Sequence, residues 1–168
     1  MCPTRIRDSK MRTLINLIAK VLIILISTIG IVSCGEDPEE LFQKGMNYAA
    51  IRNEVECAKY LKIAAQQGHA DAQGYLAVLY FSGSGVEQSY TEGLKWAKLS
   101  AEQGSAQGAF ALGGFHMNIS GDYQEAAKWF KVGAEQGHQS SIEGLELLYK
   151  YVNGKNISNN LQNIVLDY

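Results

Sequence analysis

The chain has 168 residues, 19% of them charged, and a formal net charge of −2, which leaves room for one modest domain plus a targeting segment. The near-neutral total hides a division: five Lys/Arg against one acid precede Cys34, and ten against sixteen follow from Cys34 onward. An acidic body with scattered lysines excludes a nucleic-acid binder, because neutralising phosphates takes clustered basic groups.

The head predicts a secretion signal. A basic start runs into the apolar stretch Val21–Val32, 12 residues long, where a spanning helix needs about 20. Met11-Arg12-Thr13 makes a more ordinary beginning for such a signal than Met1, so Met11 is the expected start. The stretch ends in Ile31-Val32-Ser33-Cys34-Gly35, which resembles the bacterial lipobox. There a cysteine after small residues receives lipid and becomes the new N-terminus. Val32 departs from the commoner Ala or Ser. The resemblance implies residues 1–33 as a lipoprotein signal peptide, Cys34 as the lipidated (palmitate-bearing) residue, and 34–37 as a short tether. Gly35 after the cysteine implies the outer membrane, facing the periplasm. Acyl chains gain about 0.8 kcal/mol per buried CH2, so several hold a protein firmly. The alternative is an uncleaved N-terminal helix with a chance cysteine.

Asp37-Pro38-Glu39-Glu40 opens the folded body as a helix start, with a capping Asp, Pro at the first helical position and two acids at the positive helix end. A phrase then recurs: Lys59-Tyr60 with Ala64-Ala65-Gln66-Gln67-Gly68, Lys95-Trp96 with Ser100-Ala101-Glu102-Gln103-Gly104, and Lys128-Trp129 with Gly133-Ala134-Glu135-Gln136-Gly137. The closing glycines are 36 and then 33 residues apart. That period predicts stacked helix hairpins rather than one globular core. The hairpins fall at about 38–68, 69–104 and 105–137, followed by one more first helix over about 139–152. The repeat domain is thus 38–152. Residues 153–168, opening on Asn153-Gly154-Lys155 and carrying Leu161, Ile164 and Val165 at helical spacing, are expected to cap the stack.

Small residues mark close helix approach: Gly45, Ala77 and Gly113 in first helices, and the pairs Ala64-Ala65, Ser100-Ala101 and Gly133-Ala134 in second helices. Tyr60, Trp96 and Trp129 are expected to supply the bulk that interlocks with them. Glycines 68, 104 and 137 are expected to end second helices in the left-handed conformation. Cys57 aligns with Gly93 and Ala126, a small-residue position, and is expected to be a buried, inert thiol. With Cys2 lost and Cys34 lipidated, it has no disulfide partner.

These residues resemble the Sel1-like repeat family, relatives of tetratricopeptide repeats. The second copy carries the resemblance furthest, through Ala72-Gln73, Leu76-Ala77, Tyr80, Gly83-Ser84-Gly85-Val86, Gly93-Leu94-Lys95-Trp96 and Ala101-Glu102-Gln103-Gly104. The third lacks Gly-x-Gly-Val and has His116 at the Tyr position. The first is recognisable only in its second half. The resemblance implies an all-α solenoid of antiparallel helix pairs and a role in assembling other proteins.

No catalytic constellation or metal-ligand spacing emerges, and no cofactor is expected. His69 and His138 follow the repeat glycines and read as turn residues, and His116 as a packed one. Gly83-Ser84-Gly85 has no preceding strand and no following Lys-Ser/Thr, so it is not a phosphate loop. In tetratricopeptide-like stacks the first helices line the concave side. Likeness to them points Phe42, Met46, Val78, Phe81, Phe110, Met117, Leu147 and Tyr151 into a partner-binding groove, rimmed by Glu39, Asp71, Asn118, Glu143 and Lys150; the alternative, favoured for any one of the eight, is core packing in a short, tightly wound stack. The expected function is an envelope-anchored module that binds a protein or peptide. The alternative on the same scaffold is a cell-wall-active enzyme or a small-ligand binder; facing carboxylates in a deep pocket would favour it.

Overall fold

The structure is a computed structural model that describes residues 35–155; the signal segment, the lipobox cysteine and the expected cap beyond Lys155 lie outside the described residues. The described residues form helices α1 (Pro38–Ala50), α2 (Glu54–Gln66), α3 (Ala70–Ser82), α4 (Tyr90–Glu102), α5 (Ala106–Phe115), α6 (Tyr123–Glu135) and α7 (Gln139–Lys155). A π-helical turn, His116–Ser120, prolongs α5. Helices α1/α2, α3/α4 and α5/α6 pair as hairpins, each second helix packs on the next first helix, and α3, α5 and α7 line up side by side. This is the expected all-α solenoid. No described helix is long and apolar enough to cross a membrane.

Each second helix begins on a polar cap. Asn53, Ser89 and Asp122 accept from the backbone N–H of Glu56, Glu92 and Glu125, satisfying donors that the first helical turn leaves open. Those same glutamates pair three residues on with Lys59, Lys95 and Lys128, which explains the recurring lysine before the aromatic residue.

The recurring Gln-Gly phrase closes each second helix with two bonds. Gly68 N–H donates to the Ala65 carbonyl and His69 N–H to the Ala64 carbonyl, and the same pair forms at Gly104/Ser105 and Gly137/His138. This geometry needs a left-handed residue, and the glycines supply φ of 93°, 81° and 76°. The residue completing the closure also starts the next helix. His69 and Ser105 cap α3 and α5, and His138 accepts from Ser141 N–H near the start of α7. One residue thus ends one hairpin and opens the next.

The core follows the small residues, but its bulk differs from the sequence expectation. Tyr60, Trp96 and Trp129 are only partly buried. The adjacent residues Leu61, Ala97 and Phe130 point inward at 1%, 0% and 2% exposure, since one residue along a helix turns the side chain by about 100°. Leu61 fills the space that Gly45 leaves, and Phe130 fills the space left by Gly113 and Gly144 together. The middle layer is built on Ala77, Ala97, Ala111 and Leu112. Trp96 Nε1 is buried without a hydrogen-bond partner. Cys57 is buried, and burial pushes its thiol pKa up, so it is a poor nucleophile. Helix α7 runs through Asn153-Gly154-Lys155, and a Cβ at Gly154 would meet nothing of the described residues within 4 Å.

Candidate functional site

Two features stand out on the first helices. One is a ladder of polar contacts between repeats. His69 Nδ1 accepts from Ala72 N–H, so its Nε2 carries the proton and donates to Glu39 Oε2 at 2.9 Å. His138 repeats the arrangement, with Nδ1 taken by Ser141 and Nε2 donating to Gln107 Oε1 at 3.1 Å. Between them Ser105 Oγ donates to Asp71 Oδ1 at 2.6 Å. Each cap therefore reaches the second residue of the preceding first helix. Phe42 stacks on His69 at 4.5 Å and Phe110 tilts against His138 at 5.4 Å. Glu39 and Asp71, expected on a groove rim, are rungs of this ladder.

His138 makes the ladder pH-sensitive. Burial lowers its pKa from the ordinary histidine value, with Asp71 opposing, and its acceptor role at Nδ1 also demands the neutral ring. A depressed folded pKa means that the unfolded chain takes the proton more readily. The stability it contributes is complete above about pH 6.5 and is lost as pH falls through the folded pKa. Melting temperature should therefore drop between about pH 7.5 and about pH 5, and His138→Gln should flatten part of that slope. An unchanged slope in the variant would show that His138 is not the group responsible.

The second feature is a cavity of about 320 Å³ between α3, α5 and the π turn, open to solvent. Val78, Phe81 and Ser82 of α3 form one wall, Phe110, Ala111, Gly114 and Phe115 of α5 the other, and Tyr90, Asn118 and Ile119 the rim. Two of its rings are held from behind. Phe81 lies where Gly93 of α4 has no side chain, close enough that a Cβ there would overlap the ring. Phe115 packs on Phe81 at 5.3 Å, and Phe110 sits against Phe130 at 6.1 Å. Ser82 Oγ donates to the Val78 carbonyl, Asn118 Nδ2 to the Gly114 carbonyl, and Tyr90 Oη accepts from Gln88 Nε2. Among the described residues no carboxylate, imidazole, thiol or amine lines the space.

Of the eight groove residues expected from sequence, the cavity brings together Val78, Phe81 and Phe110. Phe42 does not face a groove; it is 9% exposed, in the core. Met46 packs against the first core cluster and Met117 against the last. Leu147 is 57% exposed on α7, and Tyr151 accepts a hydrogen bond from Tyr123. Glu143 accepts from Gln139, and Lys150 is exposed. Sequence reasoning missed Phe115, Gly114, Tyr90 and Ile119. The signal for Gly114 was a gap in a series, since Met46, Val78 and Leu147 hold the corresponding place in the other copies.

A model of the Sel1 repeat matches residues 40–69, 70–105 and 107–138. The chain belongs to the Sel1 repeat family. Among solved structures it is similar to a Sel1 repeat protein from Oxalobacter formigenes, with 26% identity and a TM-score of 0.60 over 76% of this chain and 54% of that one. It is also similar to a protective antigen present in uropathogenic Escherichia coli strains, which displays an SLR fold, with 29% identity and a TM-score of 0.54 over 70% of this chain and 26% of that one. The Sel1 chain described here thus spans about half the length of the first and a quarter of the second. No curated protein matches it.

Proposed function

We propose that this Sel1 repeat chain is an envelope-anchored lipoprotein whose repeats bind a protein or peptide on the first-helix side. The observation that carries the binding reading is the preformed apolar cavity between α3 and α5, walled by aromatic rings and, among the described residues, lined by no carboxylate, imidazole, thiol or amine. The anchor rests on the sequence around Cys34, and with it the outer-membrane, periplasm-facing location.

The two parts are tested separately. Cys34→Ser should abolish incorporation of a fatty-acid analogue and release the protein from the membrane fraction; undiminished labelling would remove the lipoprotein reading. For binding, a photo-crosslinking residue at Ile119, on the cavity rim, is compared with one at Leu99, on the outer face of α4. The two positions are similarly exposed, at 37% and 38%. Crosslinks to one specific protein from Ile119 and not from Leu99 are the expected result. Leu99 and Val132 occupy equivalent places on α4 and α6, both exposed, so the reverse pattern would move the partner to the second-helix face.

A further inference from the structure

The cavity between α3 and α5 exists because one repeat departs from the others in two ways. At the ninth helical position α1, α3 and α7 carry Met46, Val78 and Leu147, whereas α5 carries Gly114. The glycines packed inside this domain have a reason to lack a side chain. A Cβ at Gly45, Gly74, Gly93, Gly108, Gly113, Gly133 or Gly144 would press on a neighbour at 3.0 Å or less. Gly114 has none among the described residues: a Cβ there would meet nothing of theirs within 4 Å, and its backbone is not left-handed. Glycine weakens a helix relative to alanine, so this position carries a cost without a packing return. The second departure follows at once. In place of the Gly-x-Gly turn of the second copy, α5 widens into the π turn His116–Ser120, which brings Asn118 and Ile119 to the cavity rim. Single π turns concentrate at functional sites.

We propose that the space over Gly114 is a specificity pocket for one uncharged aromatic or large aliphatic side chain, presented by a peptide segment of the partner. This rests on the binding reading above and names the chemistry recognised. The size fits, since the cavity holds about 320 Å³ and an apolar space of about 150 Å³ already takes a benzene ring. The polarity fits too. Ser82 Oγ donates to the Val78 carbonyl and Asn118 Nδ2 to the Gly114 carbonyl, and among the described residues no charged group lines the wall. A charged side chain entering would lose water and gain no counter-ion. The rings of Phe81 and Phe110 are held from behind by Gly93 and Phe130, and Phe115 packs on Phe81, so little ordering is needed on binding.

Gly114→Met tests this by restoring the kind of side chain that another copy carries at the same place. It fills the pocket from within and removes a helix-weakening glycine, so the full-length variant should fold with an equal or higher melting temperature. The probes are N-acetyl-phenylalaninamide and N-acetyl-leucinamide, with N-acetyl-lysinamide and N-acetyl-aspartamide as charged controls, followed by amide chemical-shift changes in the full chain. The expected result is saturable millimolar binding of the apolar probes, with shifts centred on Gly114, Ile119 and Phe81. Affinity should weaken at least tenfold in Gly114→Met and a few-fold in Gly114→Ala, which serves if the methionine variant misfolds. Equal binding by wild type and variants, no apolar binding, or equal binding of the charged probes would each overturn the pocket. So would apolar binding that appears only when residues 156–168 are deleted, because the occupant would then be the chain's own tail. Failure here with specific crosslinks from Ile119 intact would leave the binding reading standing and remove only the pocket; loss of both would remove both.

Discussion

Phe130→Ala is expected to cost about 3–5 kcal/mol of folding stability, the range for an emptied aromatic core site. The ring is 2% exposed and stands at the junction of three helices. From α6 it occupies the space above Gly113 of α5 and Gly144 of α7, where a Cβ on either glycine would sit within 3 Å of it. Its loss opens a hole bordered by two residues with no side chain to move into it, so collapse is limited and the cost belongs high in that range. Trp129→Ala, one residue before, should cost clearly less, because that ring is only partly buried. Urea denaturation of the purified protein, followed by circular dichroism, measures both. A loss below about 1 kcal/mol for Phe130→Ala, or a larger one for Trp129→Ala, would mean that the last hairpin is not packed through Phe130.

That ordering reverses the one suggested by the sequence, and the reason is specific. The repeat phrase advertises Trp96 and Trp129 because they recur, whereas the interior position beside them holds Leu61, Ala97 and Phe130, three residues without a common type. What repeats in such a chain is what every junction needs. The Gln-Gly closure recurs because the same backbone bonds recur, and it was legible; the polar caps and the paired Glu and Lys of second helices recur for the same reason, but only the structure showed them. The fold class was legible for the same reason. What differs between copies is how each gap is filled, and that depends on residues brought together across 30 or so positions. His69 and His138 show the limit. Their place after the glycine identified a turn, but their second nitrogen reaches Glu39 and Gln107 in the preceding repeat, which no local pattern announces.

The candidate site was legible in part. Val78, Phe81 and Phe110 were read as facing one groove and do share a cavity, while Phe42, at the same helical position as Phe110, is buried under the stack's first turn instead. Equivalent positions have unequal surroundings at the end of a stack and in its middle, so a periodic argument alone overextends the groove.

Two glycines of α5 bring these points to a sharp test, because they lie six residues apart in one helix and should respond with opposite signs. A Cβ at Gly108 would stand 2.5 Å from the Ala101 backbone nitrogen and 2.5 Å from Ser100 Oγ. The serine hydroxyl is itself committed, donating to the Ala70 carbonyl at 2.6 Å, and the backbone nitrogen cannot rotate away. Gly108→Val therefore forces α5 off α4, and overpacking of this kind costs about 3 kcal/mol. Gly114 has open space where its Cβ would be, so Gly114→Ala should raise stability by up to about 1 kcal/mol through helix propensity alone. The two should also separate in function: Gly108→Val loses apolar-probe binding because the α3–α5 wall is disturbed, whereas Gly114→Ala gains stability while losing affinity. Melting temperature and probe affinity, measured on the same preparations, decide it. If Gly108→Val melts like wild type, the helices do not approach as closely as the hairpin packing requires. If Gly114→Ala destabilises, the space above it is filled by the chain itself, and the glycine is there for packing after all.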